Sequence, residues 1–137
     1  MNAVDTNVLI YAHDPRYPQK QQTATKLVVD LVDGGLVWQV ACEYLAASRK
    51  VVSAHFSYED AVQRVRDLRI AWTTVLPTWS VMDRMHAIRS RYSLSTWDGL
   101  LVATCLEGGI HRLYTEDFDA YRAIDSLEIV NPFRVLK

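Results

Sequence analysis

Disulfide scaffolding is the first thing this chain lacks, because its 137 residues carry only two cysteines. Cys42 and Cys105 each lie in an apolar helical run without metal-ligand spacing, which reads as two reduced core thiols of a cytoplasmic protein. No window holds 18 apolar residues, so nothing is expected to span a membrane. The first twelve residues have no basic start, and Asp5 interrupts their apolar stretch, so no signal peptide is expected. The absence of a glycine-rich phosphate loop excludes a nucleoside-triphosphate motor. Four histidines, His13, His55, His86 and His111, have no ligand spacing to one another and read as surface or supporting residues. Ser93 and Ser95 lack a nucleophile-elbow pattern. No repeat, linker or low-complexity tract divides the chain, which reads as a single domain over residues 1–137.

What is present is a core. Half of the residues are apolar, enough to exclude disorder. The net charge of −1 does not advertise a nucleic-acid partner. If four acids are held by metal, however, 12 remain against 15 Lys and Arg, and the rest of the surface is mildly basic. Arg64, Arg66 and Arg69, with Arg84, Arg89 and Arg91, could then meet phosphates or simply line solvated helix faces. Short strands are expected at 3–4, 36–38, 73–76, 113–115 and 127–130. Helices are expected at 8–12, 19–32 (ended by Gly34-Gly35), 39–52, 58–70, 78–91 and 95–106. This alternation predicts an α/β fold, a three-layer α/β/α sandwich around a mostly parallel sheet. Ligand sites in such sheets form at the carboxyl ends of strands, where Asp5 and Asp117 stand.

Four acids sit beside apolar runs: Asp5, Glu43, Asp98 and Asp117. Taken singly, Asp5 reads as a helix N-cap, Asp98 as the third residue of a helix capped by Ser95, and Asp117 as a turn cap. Glu43 is harder to explain away. Its helical neighbours Gln39, Val40, Ala46 and Ala47 include no base, so a buried carboxylate there needs a cation or a shifted pKa. Acids drawn together from the ends of several core elements are tolerable when a hard divalent cation fills the space between them.

At these residues the chain resembles a known family. Val4-Asp5-Thr6-Asn7-Val8-Leu9 resembles the opening motif of PIN-domain nucleases. Trp38-Gln39-Val40-Ala41-Cys42-Glu43-Tyr44 resembles their second motif, and Thr96-Trp97-Asp98-Gly99-Leu100-Leu101 their third. Leu113-Tyr114-Thr115-Glu116-Asp117-Phe118 resembles the fourth, and Asn131-Pro132-Phe133 a common ending of the bacterial branch. The compact length is similar to VapC-type toxins of type II toxin–antitoxin pairs. The resemblance implies cleavage of RNA dependent on Mg²⁺ or Mn²⁺, with Asp5, Glu43, Asp98 and Asp117 as the catalytic acids. Asp5 and Asp98 are implied as principal metal carriers, with Thr6, Asn7 and Thr115 in support. It also implies a homodimer and a small antitoxin partner. A glycine is frequent in the loop after the fourth acid, but this chain reads Asp117-Phe118-Asp119, so Glu116 or Asp119 could take Asp117's part.

Water attack on a phosphodiester would leave a 5′-phosphate and a 3′-hydroxyl. Two other classes compete. A binding module of the same fold would occupy nucleic acid or a partner without cutting, and a housekeeping nuclease would process RNA without an antitoxin. A phosphatase with Asp5 as nucleophile is disfavoured because Asn7 stands where a second acid is needed.

Overall fold

The computed structural model describes residues 1–51 and 56–134. Its sheet has six strands: β1 (Asn2–Val4), β2 (Gly34–Val37), β3 (Thr73–Val75), β4 (Arg112–Tyr114), β5 (Ala123–Ile124) and β6 (Leu127–Val130). They lie in the order β3-β2-β1-β4-β6-β5, parallel throughout except for the β5–β6 pair. The helices are α1 (Thr6–Tyr11), α2 (Pro18–Asp30), α3 (Trp38–Ser48), α4 (Tyr58–Ala71), α5 (Trp79–Tyr92) and α6 (Thr96–Glu107), with a short 3-10 turn at Arg49–Val51. α1 packs on α2 and α3, α3 packs on α4, and α5 packs on α6. From β1 the chain moves outward through β2 to β3, then crosses back to β4 on the other side of β1. Right-handed crossovers therefore put α1–α4 on one face and α5–α6 on the other. This is the expected three-layer α/β/α sandwich.

The direction reverses at β1 and β4, which pair in register with Val4 opposite Tyr114. Their carboxyl ends form the switch point of the sheet, the usual place for a ligand in such folds. Ala3, Val4 and Leu113 are buried there to 2 % exposure or less. α6 is apolar nearly all round, with Leu101 to Cys105 all buried, as suits a helix enclosed between the sheet and α5. It ends where the sequence places the stop: Gly108 caps it and Gly109 takes φ 79°, a value glycine adopts without strain.

Several boundaries differ from expectation. α2 ends at Asp30, and Gly34-Gly35 belong to β2 instead of terminating a helix. The reason is packing: a Cβ on Gly34 would come within 2.4 Å of the Trp72 ring, so glycine lets the indole lie against the strand. Trp38 begins α3 instead of closing β2. α3 ends at Ser48, short of the expected Val52, which lies outside the described residues, as does His55. β5 was not expected. It is two residues long and joins β6 through a tight turn in which Asp125 takes φ 51°.

The core also corrects two side-chain readings, those of His13 and Cys42. His13 is buried, stacked on Phe56 at 3.7 Å, and burial lowers its pKa to about 4. Of the tryptophans, Trp72 is buried and Trp79 is 81 % exposed. Cys105 is buried, but Cys42 is exposed. A thiol reagent should therefore modify one cysteine per folded chain and two after denaturation, read by intact mass. Rapid modification of both in the native protein would contradict this packing.

Candidate active site

A cavity of about 410 Å³ opens at the switch point, and Asp5, Glu43, Asp98 and Asp117 all line it. Each comes from a different element: Asp5 from the end of β1, Glu43 from the middle of α3, Asp98 from the first turn of α6, Asp117 from the loop after β4.

Asp5 is the most confined. It is 5 % exposed and is the N-cap of α1. Its Oδ1 accepts the Thr6 N–H at 2.7 Å and its Oδ2 accepts the Thr115 hydroxyl at 2.8 Å. Burial nonetheless raises its pKa to about 6, against the lowering effect of the two hydrogen bonds, and the charges of Asp117 and Glu43 add to the rise. Thr115 is fully buried and joins several parts of the site. While donating to Asp5, its hydroxyl accepts from the Asp117 backbone N–H at 3.0 Å and from Asn7 Nδ2 at 3.3 Å. Asn7 Nδ2 also reaches Asp117 Oδ2 at 3.3 Å. Asp117 itself has a raised pKa, first through burial and then through the charge of Asp98. Burial thus leads at both groups, ahead of the repulsion between the carboxylates.

Glu43 has the partners that the sequence does not make obvious. Gln39, one turn back, donates Nε2 to Oε1 at 2.7 Å, and Thr6 donates its hydroxyl to Oε2 at 3.1 Å. The same Gln39 amide donates to the Trp97 carbonyl at 3.0 Å and so ties α3 to the start of α6.

Asp98 is decided by a comparison within the chain. Ser57 and Asp60 open α4 with a complete capping box, each side chain bonding the other residue's backbone N–H. Ser95 and Asp98 have the same spacing at α6, yet only the serine half forms. Among the described residues the Asp98 carboxylate has no hydrogen bond or salt bridge, and it lines the cavity instead. Its reading as a capping acid is thereby replaced.

The two substitute acids are occupied elsewhere. Glu116 accepts from Tyr11 at 2.7 Å and pairs with Lys20 at 3.0 Å. Asp119 pairs with Arg134 at 2.9 Å and accepts from Asn131. Neither lines the cavity. Phe118, in the loop after the fourth acid, takes φ 62°. That is a strained value for a bulky residue, directly after the acid it helps to position.

The cavity includes residues that the sequence did not single out. Tyr11, at the end of α1, lines it, and Asp14, Arg16 and Tyr17 return to it after the helix. Asp14 is 1 % exposed and holds Arg16 through paired bonds of 2.9 and 2.8 Å. Their spacing is visible in Asp14-Pro15-Arg16, but nothing there shows that the chain doubles back.

The donor chemistry suits a hard cation. All the acids offer oxygen, and Asn7 Oδ1 is buried with no hydrogen-bond partner. Among the described residues no group of three His, Cys, Asp or Glu side chains is placed to hold an ion by itself. Magnesium needs no such group, since it takes one or two carboxylates and keeps several waters.

Comparison with known proteins agrees with this arrangement. The family model for the PIN domain matches residues 3–126. Ribonuclease VapC6 of Methanocaldococcus jannaschii is 26 % identical over 132 residues, covering 80 % of this chain and 86 % of that protein. A chain in a toxin–antitoxin complex from Klebsiella pneumoniae shares the fold with a TM-score of 0.73 at 19 % identity, over 98 % of this chain and 100 % of that one. A chain of FitAB bound to an IR36 DNA fragment gives 0.76 at 20 % identity, over 100 % and 99 %.

The raised pKa of Asp5 sets a pH dependence in the metal-free protein. Its folded value, about 6, lies above the ordinary 3.8. The stability it contributes is therefore present below pH 3.8 and lost as pH rises to about 6, on the order of 3 kcal/mol in all. Relative to Asp5→Asn, the wild type should lose stability between pH 4 and pH 6 in EDTA. Parallel melting curves for the two proteins across that range would show that Asp5 does not titrate this way.

Proposed function

Because the chain belongs to the PIN-domain family, we propose that it is an endoribonuclease dependent on Mg²⁺ or Mn²⁺, the toxin of a type II toxin–antitoxin pair that arrests translation and growth in the cytoplasm. The observation that carries the proposal is the convergence of Asp5, Glu43, Asp98 and Asp117, from four separate elements, on one open cavity. The ribonuclease relative supports RNA as the substrate. The domain acting as the nuclease is the whole span 1–137.

On this reading Asp5 and Asp98 would hold the cation, and Asp117 would hold a coordinated water or a second ion. When bound, the ion supplies charge stabilisation at the phosphate and a more acidic water. Glu43, fixed by Gln39 and Thr6, would bind the metal directly or take a proton from the attacking water. Cleavage breaks the bond from phosphorus to the 3′-oxygen, leaving a 5′-phosphate and a 3′-hydroxyl. Thr115 holds Asp5 and the Asp117 backbone at a fixed separation, and Arg16, clamped by Asp14, offers a cation at the rim for a neighbouring phosphate.

Structural neighbours that are toxin–antitoxin complexes support a small antitoxin as partner. A homodimer is part of the same proposal, with exposed Tyr58 and Trp79 as candidate contacts.

Activity on RNA should vanish in excess EDTA and return with Mg²⁺ or Mn²⁺. Thr115→Val, which removes a hydrogen bond behind a metal-holding acid, should lower the rate about 10- to 100-fold. Asp5→Asn and Asp98→Asn should lower it further while the fold survives by circular dichroism. Cutting by highly purified protein in EDTA, or a full rate from Asp98→Asn, would overturn the assignment. Loss of cutting with retained RNA binding in the wild type would favour a binding module.

In solution scattering, the protein should behave as a dimer at tens of micromolar, and pull-down from its native host should recover a small protein. A clean monomer with no partner recovered would remove the toxin–antitoxin part of the proposal.

A further inference from the structure

Two large aromatic side chains stand in solvent beside the acids. Trp38, the first residue of α3, is 53 % exposed, and Trp97, in the first turn of α6, is 66 % exposed. These are the helices that deliver Glu43 and Asp98. Between the two indoles lies a second cavity of about 630 Å³, floored by Cys42, Ala46, Pro77 and Leu100. It is mostly apolar, and it shares Gln39, Glu43 and Asp98 with the acid cavity. Gln39 holds the pair of helices at a set spacing, since its amide bonds both Glu43 and the Trp97 carbonyl. Exposed indoles walling an apolar cleft that runs into a charged site are a surface that gains from being covered.

We propose that this cleft binds a nucleobase of the substrate, one unpaired base beside the phosphate that is cut, with Trp97 and Trp38 as the stacking faces. The proposal rests on the nuclease reading above and names its substrate class: single-stranded or looped RNA. The chemistry of the two joined cavities selects the occupant. A nucleotide is an apolar plane attached to an anion that travels with a cation. It puts the plane against indole and the phosphate toward the acids. An apolar helix face from a second copy would cover the indoles but would also strip water from Glu43 and Asp98 without compensation. A base inside a duplex has both faces stacked and cannot enter, so unpaired nucleotides are required. Stacking is indifferent to base identity, so the cleft selects strandedness more than sequence.

Cys42 supplies a reporter, being an exposed thiol in the cleft while Cys105 is buried. In an Asp5→Asn background that does not cut, the probes are a single-stranded RNA octamer, an abasic octamer of equal charge, and a fully paired duplex. The octamer should slow Cys42 alkylation, and the abasic strand and duplex should not. Trp97→Ala and Trp38→Ala should each weaken octamer binding about fivefold or more, with Trp97→Tyr restoring most of it. Ile70→Ala, exposed but outside the cleft, should bind as the parent does. Unchanged affinity in both Trp→Ala variants, or unchanged alkylation in saturating octamer, overturns the proposal. So does protection of Cys42 that follows protein concentration without RNA, which would mean that a second copy covers the cleft. Wild-type cleavage is scored alongside. A wild type that cuts while the variants bind normally removes the cleft alone, whereas a wild type that does not cut with Mg²⁺ or Mn²⁺ removes the nuclease reading.

Discussion

A threonine hydroxyl has one proton to give and two lone pairs with which to accept, and at Thr115 all three are used within the same site. The proton goes to Asp5, and the lone pairs take Asn7 and the Asp117 backbone. The constraint behind this is a carboxylate with 5 % exposure at the junction of two central strands. Without donors it would be among the costliest groups a core can hold. With the Thr6 N–H on one oxygen and Thr115 on the other, both oxygens are held in one orientation, and the residual strain of burial appears as a raised pKa. Because Thr115 continues β4 and Asp5 continues β1, the register of those two parallel strands sets the spacing of the hydrogen bond.

From that junction the polar links run outward in sequence. Thr6 passes from Asp5's helix to Glu43, Gln39 passes from Glu43 to the Trp97 carbonyl, and Asn7 passes to Asp117. Asp5, Glu43 and Asp117 are thus each held by a neutral side chain from another residue, while Asp98 has no such partner among the described residues. Holding like charges near one another while keeping them apart is what amide and hydroxyl spacers achieve, since they donate to a carboxylate without neutralising it.

How much of this was legible in the sequence depends on whether a residue's role is local. The α/β alternation, the N-cap at Asp5, the capping serine at Ser95 and the stop at Gly108-Gly109 are written in neighbouring residues, and they stand as expected. The family motifs picked out four acids that the fold brings to one cavity, with Thr6, Asn7 and Thr115 hydrogen-bonded among them. The failures are tertiary. Gly34-Gly35 look like a helix stop until Trp72 arrives from a distant helix. Cys42 and Cys105 sit in equally apolar runs, and only packing separates the exposed one from the buried one. His13 looks polar and solvent-facing until Phe56 stacks on it. Whether Asp98 closes a capping box, as Asp60 does, or faces the cavity depends on what lies beyond its helix.

The hydrogen bond between Thr115 and Asp5 joins residues 110 positions apart. β4 inserts beside β1, so the middle of the sheet is among the last parts to be completed in chain order. A ribosome must therefore deliver the chain through Thr115 before the junction can close. Contacts of such long sequence separation also form slowly, because a large loop must be ordered first. A nascent or truncated chain has the early acids but neither Thr115 nor Asp117 to set them. The first three acids are therefore made long before the strand that sets the geometry of the first of them.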